Sequence, residues 1–146
     1  MKTSTKKYNK SLCAEGNSKE LEKIRDFIQF WSLYFGFNEV DTNKIILAVD
    51  EVCTNLINHA FKLDKSKEIC IEVEHKKNDF IISISDDASP FDLTTKNNID
   101  MSEYFANFRR GGLGIQIVRH VMDEISYSPS DKSNPRNILQ LRKHLV

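Results

Sequence analysis

Cysteine, proline and glycine are all scarce in this chain: three, three and five among 146 residues. Cys13, Cys53 and Cys70 are odd in number and widely spaced, without a Cys-x-x-Cys pair or a Cys/His ligand spacing. That pattern argues against a zinc site or a disulfide framework and for a reduced, cytoplasmic protein. His59, His75, His120 and His144 are too scattered to form a metal centre. Charge of one sign is also lacking. Lys plus Arg and Asp plus Glu stand at 21 each, so a general affinity for polyanions, and with it direct nucleic-acid binding, is not expected. No apolar run approaches the ~20 residues that cross a bilayer. The opening MKTSTKKYNK is not followed by a hydrophobic stretch, so neither a membrane span nor a secretory signal is expected.

What is present fits one domain over residues 1–146, with 40% hydrophobic residues and room for a single core. Residues 6–14 are expected to form a first strand. Asn17 and Glu20 fit a capping box that opens a helix to about Phe35, with Leu21, Ile24, Phe27, Ile28, Trp31 and Phe35 as its apolar set. Gly36 ends it. Asp41 is the expected cap of a second helix reaching about Phe61. Ile69, Ile71 and Val73 alternate with Cys70, Glu72 and Glu74. Lys77-Asn78-Asp79 then turns the chain into a second strand ending at Asp86. Glu124 to Ser128 and Asn137 to Lys143 read as a closing hairpin.

Three segments carry candidate chemistry. In DEVCTNLINHAF, residues 50–61, helical periodicity of about 100° per residue gathers Glu51, Asn55, Asn58 and His59 into one polar stripe. The rest of that helix is apolar enough to be buried, and buried polar groups need partners, a solvated polar face being the ordinary alternative. In FIISIS followed by DDASPFD, strand period two puts Asp86 in phase with Phe80, Ile82 and Ile84, so a carboxylate points to the buried side. A turn-forming or capping Asp is the ordinary alternative. The third segment has Gly111, Gly112 and Gly114 before a helical pattern of Ile115, Val118 and Met122, with Arg109 and Arg110 just ahead. Glycines at a helix entry let backbone N–H groups approach an anion, although such turns often serve conformation alone.

Together and in this order, the segments resemble the anti-sigma-factor serine/threonine kinases of the partner-switching type. These belong to the ATPase superfamily shared by histidine kinases, DNA gyrase, Hsp90 and MutL. The helix with Glu51 and Asn55 resembles the N box, including an Asn followed four residues later by His-Ala. Asp86 through Phe91 resembles the Asp-x-Gly-x-Pro-Phe G1 box. Gly112-Leu113-Gly114, running into Val118-Arg119 and Met122-Asp123-Glu124, resembles the G2 box and its helix. The likeness spans about residues 10 to 143. Two departures stand out. Ala88 replaces the G1 glycine, where its methyl group either crowds the adenine pocket or is tolerated. Asn134-Pro135-Arg136-Asn137 replaces a common Gly-Thr, with Asn137 still in phase with Leu139 and Leu141.

The resemblance implies a histidine-kinase-like ATPase (Bergerat) fold of the α/β (α+β) type. This is a two-layer sandwich with helices on one face of a mixed, mostly antiparallel sheet. It implies ATP and Mg²⁺ as cofactors, Glu51 as general base, Asn55 as metal ligand and Asp86 as acceptor for the adenine amino group. Ala88, Gly112, Leu113, Gly114 and Asn137 would complete the nucleotide site, under an ATP lid at residues 93–110. The implied partners are a STAS anti-anti-sigma protein, a sigma factor and a second copy of the chain. A partner-switching binding module without kinase activity is the alternative that Ala88 favours. The ATPase half of a histidine kinase is a third, which needs a phosphoacceptor His on a dimerising helix pair not seen ahead of this domain.

Overall fold

The computed structural model describes residues 10–57, 67–87 and 114–145. In chain order the elements are β1 (Ser11–Glu15), a 3-10 turn (Ser18–Glu20), α1 (Leu21–Phe35), α2 (Glu39–Asn55), β2 (Glu68–Lys76), β3 (Asp79–Asp86), α3 (Gly114–Val121), β4 (Glu124–Ser128) and β5 (Asn137–His144). The first strand therefore runs to Glu15 rather than stopping at residue 14.

Both helix entries differ in detail from the sequence expectation. Asn17 caps the 3-10 turn by accepting the Lys19 N–H at 3.0 Å. The Glu20 side chain pairs with Lys23 at 3.1 Å instead of reaching back, so no reciprocal capping box forms. Asn38, not Asp41, caps α2. Its Oδ1 accepts the Asp41 N–H at 2.8 Å, which leaves Asp41 in the first turn where its charge favours the helix dipole. Gly36 ends α1 as expected. Its φ of 114° is open to glycine at no steric cost, and an added Cβ would meet Leu145 at 3.3 Å.

The sheet has the order β1-β2-β3-β5-β4, and every described pair is antiparallel. The mixed sheet expected from the sequence is thus corrected to an all-antiparallel one among the described residues. Lys76 pairs with Asp79, so β2 and β3 are joined by a two-residue loop in which Lys77 takes the left-handed conformation at φ 57°.

Alternation along the strands assigns the two faces. Ile69, Ile71, Val73, Phe80, Ile82, Ile84, Leu139 and Leu141 are buried and share one core with Ile24, Phe27, Ile28 and Trp31 of α1 and Ile45, Val49 and Val52 of α2. Val118 and Met122 add the α3 side. The aromatic residues of α1 continue into this core, where Phe35 meets Phe80 edge-on with centroids 5.2 Å apart. The other face carries Ser83, Ser85, Gln140 and Arg142, and takes no part in that core. Helices therefore cover one face of the sheet, as the two-layer reading requires.

The cysteines overturn one expectation. Cys13 and Cys70 lie directly opposite each other in the β1–β2 register, with Cα atoms 4.0 Å apart, and are joined by a disulfide. Their 57-residue separation concealed a pairing that only the strand register creates. The expectation of a reduced compartment loses its support from cysteine spacing. Cys53 is free and fully buried in α2. Among the described residues, no helix is long and apolar enough to cross a membrane.

Candidate functional site

Asp86 ends β3 on the core face, only 5% exposed. The register sets it between Ile69 of β2 and Asn137 of β5. A carboxylate taken out of water in this way needs a donor. Asn137, itself 2% exposed, supplies one: its Nδ2 donates to Asp86 Oδ1 at 2.9 Å. The opposite end of the same carboxamide is held as well, because Asn137 Oδ1 accepts the Ser130 N–H at 2.8 Å. Asn137 is thus fixed at both ends and orients Asp86. The inward phase of both residues was legible in the sequence, and their pairing was not.

Tyr127 of β4 pairs with Leu139, next but one to Asn137 along β5. Burial pushes its phenol pKa up, and the charge of Asp86 adds to that rise. The carboxylate therefore sits in a poorly solvated wall between β2, β5 and the Tyr127 side chain. Asp87 ties the strand end to β2 by accepting the Glu68 N–H at 3.0 Å.

Arg136 reinforces the same end from the outer face. Its Nε donates to Ser85 Oγ, and its Nη2 donates to the carbonyls of Glu68 and Ser85, each at 3.1 Å. One guanidinium thus spans β2 and β3 from its place beside β5, where its fork of donors reaches three acceptors at once. The sequence marked Arg136 only as a departure from Gly-Thr. Its place next to the inward Asn137 could have located it on the outer face by strand alternation. The Ser130 contact uses a main-chain N–H and leaves no signature in residue type.

The second part of the site lies on α2. Asn55 is 9% exposed, and its Nδ2 donates to the Glu51 backbone carbonyl at 2.8 Å. A carbonyl oxygen can only accept, so the amide nitrogen must face it and the side-chain oxygen Oδ1 points elsewhere. That leaves a hard oxygen donor suited to Mg²⁺, which takes few protein ligands and keeps waters and phosphate oxygens. Asn55 fits the metal on this ground. Glu51, one turn earlier, is half-buried. Helical spacing sets it on the same face as Lys44 and Leu47. With Gln116, Ile117, His120 and Val121 of α3, those two residues line an open groove of about 470 Å³. Asp50 looks the other way, held by Arg25 Nε at 2.9 Å.

The described residues thus bring together Asp86 with Asn137, and Glu51 with Asn55, on elements that share one core. Gly114 opens α3, in keeping with its expected place at a helix entry. Asn58, His59, Ala88, Gly112, Leu113 and the expected lid at 93–110 lie outside the described residues.

Comparison with known proteins bears on the fold and family. The serine-protein kinase RsbW of Listeria monocytogenes is 31% identical over 94 residues, covering 62% of this chain and 60% of that protein. The chain thus spans about three-fifths of the length of this curated relative. The structure of the RsbU and RsbW domains of a Mycobacterium tuberculosis protein superposes with a TM-score of 0.60 at 13% identity, over 94% of this chain and 33% of that one. The SiaB–SiaC complex from Pseudomonas aeruginosa gives a TM-score of 0.56 at 15% identity, over 98% of this chain and 94% of the other. At such identities the two structures support the fold alone. Residues 15–143 match the histidine kinase-like ATPase domain. Nearly the whole core, Asp86, Asn137, Glu51 and Asn55 fall within that match, and the chain belongs to the histidine kinase-like ATPase domain family.

Proposed function

We propose that this domain is an ATP-dependent protein serine/threonine kinase that also acts as an anti-sigma factor. It would phosphorylate a STAS anti-anti-sigma protein and sequester a sigma factor, working in the cytoplasm as a homodimer. The likeness to a serine-protein kinase supports the reading. The observation that carries it is the Asn55 carboxamide, turned by the Glu51 carbonyl so that its oxygen is available one helical turn from a carboxylate.

Each group has a distinct task. Asp86, oriented by Asn137, accepts a hydrogen bond from the adenine amino group, and its burial sharpens the preference for a donor there. Asn55 Oδ1 would hold Mg²⁺, and the ion would supply charge neutralisation on the nucleotide phosphates. By the family resemblance, Gly112 and Gly114 would offer backbone N–H groups to phosphate oxygens, and Leu113 and Ala88 would belong to the same nucleotide site. Glu51 would accept the proton of the incoming Ser or Thr hydroxyl as its oxygen bonds to the γ-phosphorus, the bond from that phosphorus to the β–γ bridging oxygen breaks and ADP leaves. The Glu51 side chain is half-buried rather than sealed in the core.

The test is to incubate the protein with labelled ATP, Mg²⁺ and a cognate STAS partner. Phosphoserine or phosphothreonine on the partner is expected. Glu51→Gln should bind Mg-ATP and capture its regulator yet lose roughly 10²–10⁴-fold in transfer rate. Transfer by Glu51→Gln at the parent rate would show that another group is the base. Ala88, where the family pattern has Gly, favours a second reading: a binding module that exchanges partners without catalysis. A parent protein that exchanges partners but never phosphorylates one would establish that alternative.

A further inference from the structure

We propose that Cys13 and Cys70 form a reversible thiol–disulfide site, distinct from the candidate nucleotide site and independent of the kinase reading. Its reactants are thiols and disulfides of the glutathione class. Strand alternation turns both side chains to the outer face of the sheet, away from the core that holds Leu12, Ala14, Ile69 and Ile71. Cys13 is exposed and Cys70 half-buried, so Cys13 is the more accessible of the two. A carboxylate lies beside the other sulfur, and a guanidinium pairs in turn with that carboxylate. Glu68 Oε1 lies 3.5 Å from Cys70 Sγ, and Arg136 Nη1 lies 3.9 Å from the same carboxylate oxygen.

The bond crosses the edge of the sheet. Among the described residues, β1 has a single neighbour, β2, to which five register pairs hold it. Its attachment to the core rests on Ala14, 4% exposed, and the partly buried Leu12. A chain of 146 residues is in the size range that folds on one hydrophobic core without the disulfides that small domains need. Exposed disulfides in such settings are the labile ones. The structure therefore supports two states: a dithiol in which β1 can open locally, and a disulfide that ties the edge strand down.

In the reductive direction a thiolate attacks Cys13 Sγ and the S–S bond breaks. The electron pair leaves on Cys70 Sγ, which takes a proton from water. A second thiolate then attacks the mixed disulfide, releasing Cys13 as thiolate, protonated in turn, and an oxidised disulfide product. The sum is one protein disulfide plus two thiols giving one protein dithiol plus one small disulfide. Oxidised glutathione drives the reverse reaction, with the same atoms and two electrons exchanged.

The full chain would be equilibrated across mixtures of reduced and oxidised glutathione, and its thiols trapped with a mass-tagged maleimide. Passage between a dithiol and a disulfide form is expected. Oxidation should slow deuterium exchange at residues 11–15 by about tenfold or more and raise Tm by roughly 5–15 °C. Cys70→Ser should trap glutathione on Cys13, and Cys13→Ser, which keeps the buried residues of β1 intact, should abolish the oxidation-dependent Tm shift. A bond that survives excess reduced glutathione would make the pair a permanent staple and overturn the proposal. So would thiols that never join under oxidised glutathione. Zinc retained by the reduced protein on Cys13, Glu68 and Cys70, whose ligand atoms lie within 4.8 Å of one another, and blocking oxidation, would overturn it in favour of a metal site.

Discussion

Asn137 holds Asp86 across the β3–β5 ladder, with its Nδ2 donating to the carboxylate at 2.9 Å while both residues are almost wholly buried. The pair converts a carboxylate that would be costly in the core into an oriented acceptor. Replacing Asn137 by Ala removes that donor and also leaves the Ser130 N–H without its acceptor. The expected cost is about 1–3 kcal/mol of unfolding free energy, read from urea denaturation. Nucleotide affinity should fall about tenfold beyond any loss of folded protein, measured by calorimetry with ADP, since about 1.4 kcal/mol of lost orientation is a factor of ten.

Asp86 and Asn55 should separate by ligand. On the adenine-binding role proposed for Asp86, Asp86→Asn is expected to weaken ADP and ATP to the same degree. On the role proposed for Asn55, Asn55→Ala should abolish mainly the Mg²⁺-dependent part of ATP binding. Titrations with and without Mg²⁺ decide this, and an unmodified protein whose ATP affinity ignores Mg²⁺ would rule out the role given to Asn55.

Stability should carry a histidine signature. His144 Nδ1 lies 2.5 Å from Asp79 Oδ1, and Arg142 Nη1 lies 2.6 Å from Asp79 Oδ2. The Asp79 hydrogen bond raises the His144 pKa, and the His144 and Arg142 hydrogen bonds lower that of Asp79. The raised His144 contributes stability that is complete below its ordinary value, about 6.5, and is lost as pH rises through the folded pKa above it. The lowered Asp79 contributes above its ordinary value, about 3.9, and loses that contribution as pH falls through its folded pKa. The pair is therefore most effective between those two ordinary values. The Tm difference between the parent and His144→Gln should be largest there and shrink on the alkaline side. A difference that stays constant from pH 5 to 9 would count against the pair.

Cys53 should be chemically silent. Full burial raises its thiol pKa well above the ordinary range, and the neighbouring Asp50 charge adds to this. In the folded, reduced protein, iodoacetamide should label Cys13 and Cys70 and spare Cys53. Denaturation should expose all three, as peptide mass mapping would show.

Periodicity made much of this protein legible in the sequence. Ile69, Ile71 and Val73, and Phe80, Ile82 and Ile84, announced their inward face because strand side chains alternate whatever lies next to them. The same rule assigned Asp86 and Asn137 to the core face. Gly36 marked a helix end because its left-handed backbone disfavours other residues. Helix starts were less legible. Asn38 and Asp41 both suit a cap, and the choice between them depends on where the chain leaves the strand-like conformation.

Tertiary structure decided everything that depends on register between distant segments. Antiparallel pairing set Asp86 against Asn137, 51 positions away, and Cys13 against Cys70, 57 positions away. It also brought Arg136 onto the carbonyls of Glu68 and Ser85. Residue type says that a buried carboxylate needs a donor and that a cysteine can pair. Only the relative placement of two strands, set by the packing of the whole core, says which donor and which cysteine.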